Sequence, residues 1–163
     1  MAQKDHGTCP QPVQQNLRYS CDWDKADHIC CFNRHYAEYS GYAFSDKTTW
    51  LEQISGSPTP ITDYYDSVSG KRLFMAPVDR TLEDFVKESR AHGWPSFRDN
   101  EVDWDNVRVL ANGETVSVDG THLGHNLPDS KGNRYCINLV SIAGSPESDN
   151  TDSQDEVDRI DIN

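Results

Sequence analysis

Along a β-strand, side chains alternate between two faces with a period of two. In residues 134–139, Arg-Tyr-Cys-Ile-Asn-Leu, that period puts Arg134, Cys136 and Asn138 on one face and Tyr135, Ile137 and Leu139 on the other. A guanidinium, a thiol and an amide then share a face, and two readings are open. The face is a solvated one with a stray thiol, or it lines a cleft where Arg134 favours a thiolate and Asn138 steadies it. Cys136 stands far from the other cysteines, Cys9, Cys21, Cys30 and Cys31. A solitary cysteine in an apolar stretch is either a buried core residue or a nucleophile. His122-Leu-Gly-His125 precedes the strand in a turn-rich stretch ending Pro128-Asp129. His122, His125 and Asp129 suit a metal site, acid–base groups serving Cys136, or surface turns. Gly93-Trp94-Pro95-Ser96-Phe97 sets an indole on a constrained turn, as core or as an aromatic wall for an apolar or sulfur-bearing group.

Local signals indicate the elements that must position these groups. Residues 61–65 and 73–76 flank Asp-Ser-Val-Ser-Gly as two strands of a hairpin. Thr81-Leu-Glu-Asp84 opens a helix whose apolar positions Leu82, Phe85 and Val86 fall at i, i+3 and i+4, and Gly93 and Pro95 end it. Residues 107–110 and 114–118 form a second hairpin across Asn112-Gly113. A last strand lies within 132–142. Residues 46–55 read as a short helix with Trp50, Leu51 and Ile54 on one side, and 55–60 as a linker. Residues 1–20 read as a loose arm and 21–44 as an irregular, aromatic-rich segment. The domain expectation is a Cys-containing extension over 1–45, a short helix and linker over 46–60, a catalytic domain over 61–144, and a mobile acidic tail over 145–163.

The chain has 163 residues, with 15 basic against 27 acidic side chains and a formal net charge of −12. That length suits one domain with appendages. Seven acids and one arginine in 145–163 contribute half of the excess charge. The acidity argues against nucleic acid or an anionic lipid surface as a partner. No apolar run approaches the roughly 18 residues of a membrane span, and the amino terminus has no apolar signal core, so the expected location is the cytoplasm. The odd cysteine count and the absence of a C-x-x-C pair argue against a secreted disulfide scaffold and remove the strongest zinc signature.

Taken together, Gly93-Trp-Pro-Ser-Phe97, Gly120-Thr-His-Leu-Gly-His125 and Arg134-Tyr-Cys-Ile-Asn138 resemble, in order and spacing, the B-type methionine-R-sulfoxide reductases over roughly residues 61–144. The resemblance implies a mainly β fold of two small antiparallel sheets (β-tent, Mss4-like) with one or two short helices. It implies reduction of the R epimer of methionine sulfoxide, free or in oxidised proteins. Cys136 would attack the sulfoxide sulfur, with Arg134 and Asn138 beside it. Trp94 and Phe97 would bind substrate, and His122, His125 and Asp129 would orient it and supply protons. The product sulfenic acid would need a second thiol.

The chain departs from the family in two places. Where many members carry a resolving cysteine before Gly-Trp-Pro, this chain has His92. Where many carry two zinc-binding C-x-x-C pairs, it has Asp66 and Ser69, then Val116 and Asp119. The expectation is therefore a monomeric enzyme without zinc or another cofactor. Its resolving thiol would be Cys30, Cys31 or Cys21, and a thioredoxin-like donor would regenerate it. Core packing of those cysteines, a substitute zinc cluster with His28 and His35, or direct reduction of the sulfenic acid by an external thiol stays open. The rival functions are a non-catalytic binding module on the same scaffold and a metal-dependent enzyme using His122, His125 and Asp129.

Overall fold

The structure is a computed structural model that describes residues 9–32 and 36–146. His35 and nearly all of the acidic tail lie outside the described residues. Strands β1 (Thr62–Tyr65) and β2 (Arg72–Ala76) form one antiparallel hairpin. The second sheet is antiparallel throughout, in the order β3 (Ser96–Phe97), β7 (Tyr135–Ile137), β6 (His122–Asn126), β5 (Glu114–Ser117), β4 (Val107–Val109). The expected mainly β fold with two small sheets is what the chain adopts. Among the described residues no helix is long and apolar enough to cross a membrane.

The helix opened by Thr81 is α3 (Leu82–His92). Thr81 Oγ1 accepts from Asp84 N at 3.0 Å, satisfying one of the N–H groups left over at a helix start. Gly93 ends it at φ +87°, a left-handed conformation that glycine adopts without a Cβ penalty. Phe85 and Ser89 form its buried face, and Ser89 Oγ accepts from Ser96 N at 3.0 Å. The helix end and the start of β3 are thereby locked together around Trp94.

Residues 21–44 differ from the irregular reading. They contain α1 (Trp23–Cys31), capped by Asp22, whose carboxylate accepts from Lys25 N at 2.8 Å. Its buried positions Ala26, Ile29 and Cys30 follow i, i+3, i+4 spacing and pack against β6 and the turn Leu139–Ser141. Nor are residues 9–20 a loose arm. Val13 and Tyr19 are buried in the same core as Leu73, Phe74 and Leu139, and Cys9 is bonded to Cys31. The helix expected over 46–55 is shorter, α2 (Trp50–Ser55).

At the core's centre Phe97 stacks on Phe74 with centroids 4.3 Å apart, and Tyr64 and Phe85 pack around it. Trp50 completes the group edge-on to Phe85 while its indole N–H donates to Tyr64 Oη at 3.1 Å. Burying each such ring contributes about 1.5–3 kcal/mol, and the ring pairs add to this. This cluster fixes α2, α3 and both sheets relative to one another.

Candidate functional site

Strand β7 lies between β3 and β6, with Cys136 directly opposite Ser96 on one side and His125 on the other. The alternation read from the sequence is present. Tyr135, Ile137 and Leu139 are sealed in the core, while Cys136 and Asn138 line a cleft of about 300 Å³. Trp94, His122 and His125 line the same cleft, with Tyr36 and Ala37 along its edge. A larger hollow of about 890 Å³ lies beside Arg80, Glu88, Arg98 and Asp129. Its charged walls are largely paired with one another and it contains no thiol, so the smaller cleft is the candidate site.

Arg134 Nη1 lies 2.6 Å from Cys136 Sγ, and Ser96 Oγ is 3.9 Å from the same sulfur. A guanidinium N–H aimed at sulfur is the contact a thiolate needs in a site that is only 8% exposed. The strands approach closely here because β6 carries Gly124 opposite Ile137. A Cβ at Gly124 would come 2.0 Å from the Cys136 carbonyl oxygen, so no other residue fits this register.

His122 is buried, and its Nδ1 lies 2.8 Å from Glu114 Oε2 across the β5–β6 hairpin. This contact fixes the ring's orientation, with Nδ1 turned to Glu114 and His122 among the residues that line the cleft. His125 is exposed and its ring leans on Gly113, where a Cβ would come 2.6 Å from Nε2.

Asp129 does not line the cleft. Arg98 donates to it through Nη1 and Nη2, each at 2.9 Å, and Asp129 Oδ2 is 3.8 Å from Arg134 Nε. Those hydrogen bonds, the Lys131 N–H and the nearby charges hold its carboxyl well below the usual carboxylate range. Asp129 therefore stands behind Arg134 rather than beside the sulfur. His122, His125 and Asp129 thus have three separate partners. Among the described residues, no group of three His, Cys, Asp or Glu side chains is placed to hold a metal ion.

Phe97 requires a correction. It is fully buried in the core described above, against Tyr64, Phe74 and Phe85, and is absent from the cleft lining. None of the three candidate resolving cysteines lines the cleft. Cys31 is bonded to Cys9, so in this state its sulfur is not an attacking thiol. Cys30 is a fully buried thiol with Sγ 3.6 Å from Ser141 Oγ. Cys21 is buried, and burial and the neighbouring Glu38 push its thiol far up.

Positions 66 and 69, where the resemblance would put zinc ligands, belong to a hydrogen-bonded knot. Asp66 is fully buried; its Oδ1 accepts from Val68 N at 2.8 Å and from Ser69 N at 3.3 Å. Thr121 Oγ1 meets both of its oxygens, at 2.9 and 3.0 Å. Asp119 pairs with Lys71 at 3.3 Å.

Two buried carboxylates behind the cleft carry little signal of their own in the sequence, Glu114 against His122 and Glu38 against Trp94 and Asn138. The signal that bears on Glu114 is the Asp119-Gly120 turn, which folds β6 back on β5 and brings residues 122–125 beside 114–116. Glu38 gave only the signal of a carboxylate set between Tyr36 and Tyr39.

The fold and site define a small β-protein whose cleft is built around one cysteine and its guanidinium partner. No family model matches the chain. A "Peptide methionine sulfoxide reductase MsrB" of Methanosarcina mazei is 32% identical over 97 residues, a match that covers 53% of this chain and 69% of the relative. The chain belongs to the MsrB family of peptide methionine sulfoxide reductases.

Proposed function

We propose that the protein reduces methionine-R-sulfoxide, free or in oxidised proteins, to methionine through Cys136. The observation that carries this reading is the Arg134–Cys136 contact inside a cleft that also holds Trp94, His122 and Asn138. The thiolate of Cys136 attacks the sulfoxide sulfur while His122 supplies a proton to the oxygen. The net step turns one thiol and one sulfoxide into a sulfenic acid and a thioether, with the oxygen passing to Cys136. A second thiol then forms a disulfide with Cys136 and releases water, and a thioredoxin-like dithiol reduces that disulfide. Trp94 offers the substrate's methyl group an aromatic face.

Cys30 is the internal candidate for the second thiol, since α1 packs on the turn that follows β7. Its burial makes direct attack by an external dithiol the competing route. The donors at 66, 69, 116 and 119 do not fit a zinc ion: Val116 has none, and the two carboxylates are engaged elsewhere. No step is routed through a metal, and the enzyme is expected to act as a monomer without a cofactor.

The test incubates wild type and Cys136→Ser with R- and S-methionine sulfoxide and dithiothreitol. Turnover of the R epimer alone, lost in the serine variant, is the expected result. Equal activity in both proteins would refute the assignment.

A further inference from the structure

Residues 36–41 reach the cleft from outside the stretch that carries the family motifs, and three contacts bind them to the turn that presents Trp94. Trp94 Nε1 donates to the Glu38 carbonyl at 3.0 Å. Gly41 N donates to the Gly93 carbonyl at 2.8 Å. Ser40 lies so close to Gly93 that a Cβ there would come 1.8 Å from its Oγ. On its other side the segment grips the end of the catalytic strand. Glu38 N donates to Asn138 Oδ1 at 2.9 Å, while Glu38 Oε1 and Oε2 accept from Leu139 N at 2.8 Å and Val140 N at 3.2 Å. Asn138 is fixed in turn by donating from Nδ2 to the Leu123 carbonyl at 3.0 Å.

Glu38 is 2% exposed. Burying a carboxyl group is costly unless donors compensate it, and here the donors are the backbone N–H groups that follow Asn138. One residue therefore ties the indole on one side of the cleft to the amide on the other.

We infer that Glu38 is a positioning residue for the cleft, holding Trp94 and Asn138 at a fixed separation so that a sulfoxide's methyl group and oxygen are received together. This rests on the reading of the cleft as a methionine-sulfoxide site. Glu38 touches neither the sulfur nor its guanidinium partner, so its loss weakens substrate placement more than thiol chemistry. Removing the side chain leaves two N–H groups without their acceptor and releases the segment. Glutamine retains one acceptor.

The experiment compares wild type, Glu38→Ala and Glu38→Gln in three measurements. These are steady-state kinetics on R-methionine sulfoxide with dithiothreitol, alkylation of Cys136 by iodoacetamide, and the Trp94 indole N–H resonance, assigned with Trp94→Phe. In Glu38→Ala, KM rises about tenfold, the equivalent of roughly one strong hydrogen bond, while kcat changes less. The indole resonance shifts and alkylation stays near wild type. Glu38→Gln lies between the two. Wild-type KM and an unmoved indole resonance in Glu38→Ala would overturn the inference. So would loss of tertiary structure in both variants, which would make Glu38 a folding residue only. If wild type itself does not reduce the R epimer, the functional reading fails, and the indole resonance still decides whether Glu38 holds Trp94.

Discussion

Glu114 Oε2 lies 2.8 Å from His122 Nδ1, with both side chains buried in the wall of the cysteine cleft. The pair spans the turn between β5 and β6, so hairpin geometry itself delivers a carboxylate behind an imidazole. In the proposed reaction, a carboxylate there would orient the imidazole and offset positive charge on the ring as it passes a proton to the sulfoxide oxygen. Glu114→Gln keeps an acceptor for Nδ1 and removes the charge. The expected result is a kcat lower by about a hundredfold, within the range general acids contribute, with KM little changed. Stopped-flow or steady-state assay with dithiothreitol checks it. An unchanged kcat would remove His122 from proton delivery.

Trp94 and Phe97 sit three residues apart and do different work. Trp94 lines the cleft, whereas Phe97 stacks on Phe74 in the core. Phe97→Ala is expected to lower unfolding free energy by about 3–5 kcal/mol, the cost of a large core truncation, and to leave KM of the folded protein near wild type. Trp94→Ala is expected to raise KM with a smaller stability cost. Urea denaturation and kinetics on both variants separate the roles, and a KM effect from Phe97→Ala in fully folded protein would return that residue to the site.

This pair also shows which parts of the site were legible in the sequence. Groups on one strand, such as Arg134, Cys136 and Asn138, were placed by the period of two, and the Thr81 cap and Asn112-Gly113 hairpin by local chemistry. Phe97 was misplaced because its strand is only two residues long. Its direction is set by pairing with Tyr135, a core residue, which no local pattern displays. Helix α1 is hard to see in the sequence because its buried stripe, Ala26, Ile29 and Cys30, is short and includes a cysteine, a residue type equally suited to chemistry. Glu38 was illegible for a different reason. Its partners lie some hundred residues away, and only the packed fold brings them together.

Asp66 and Thr121 join the turn after β1 to the turn before β6. The buried Asp66 carboxyl satisfies two backbone N–H groups and a hydroxyl, so Asp66→Ala leaves several buried donors without an acceptor. A loss of about 3 kcal/mol is expected, against a much smaller loss for exposed Asp105→Ala. Dialysis of wild type against EDTA is expected to leave its thermal midpoint unchanged. A midpoint that falls on chelation and returns with zinc would show that a metal stabilises the fold after all.

Glu38 also couples the cleft to pH. Burial pushes its carboxyl from 4.5 up to about 8, with the N–H groups of Leu139 and Val140 and the charge of Lys25 pulling the other way. The ionisable groups that bear on it are Lys25 and Cys21, with Tyr42 behind them. A group whose folded pKa is raised keeps its proton in the fold while the unfolded chain has already released it. Its contribution is therefore complete below about 4.5 and is lost as pH climbs towards 8. Other groups titrate over the same window, so the difference between wild type and Glu38→Gln isolates the effect. Relative to wild type, the glutamine variant is expected to gain stability between pH 5 and pH 9, read as denaturant midpoints at both values. A difference that does not change with pH would mean that the Glu38 carboxyl ionises in the fold much as it does in water, and that the clamp on Trp94 and Asn138 works with a charged group throughout.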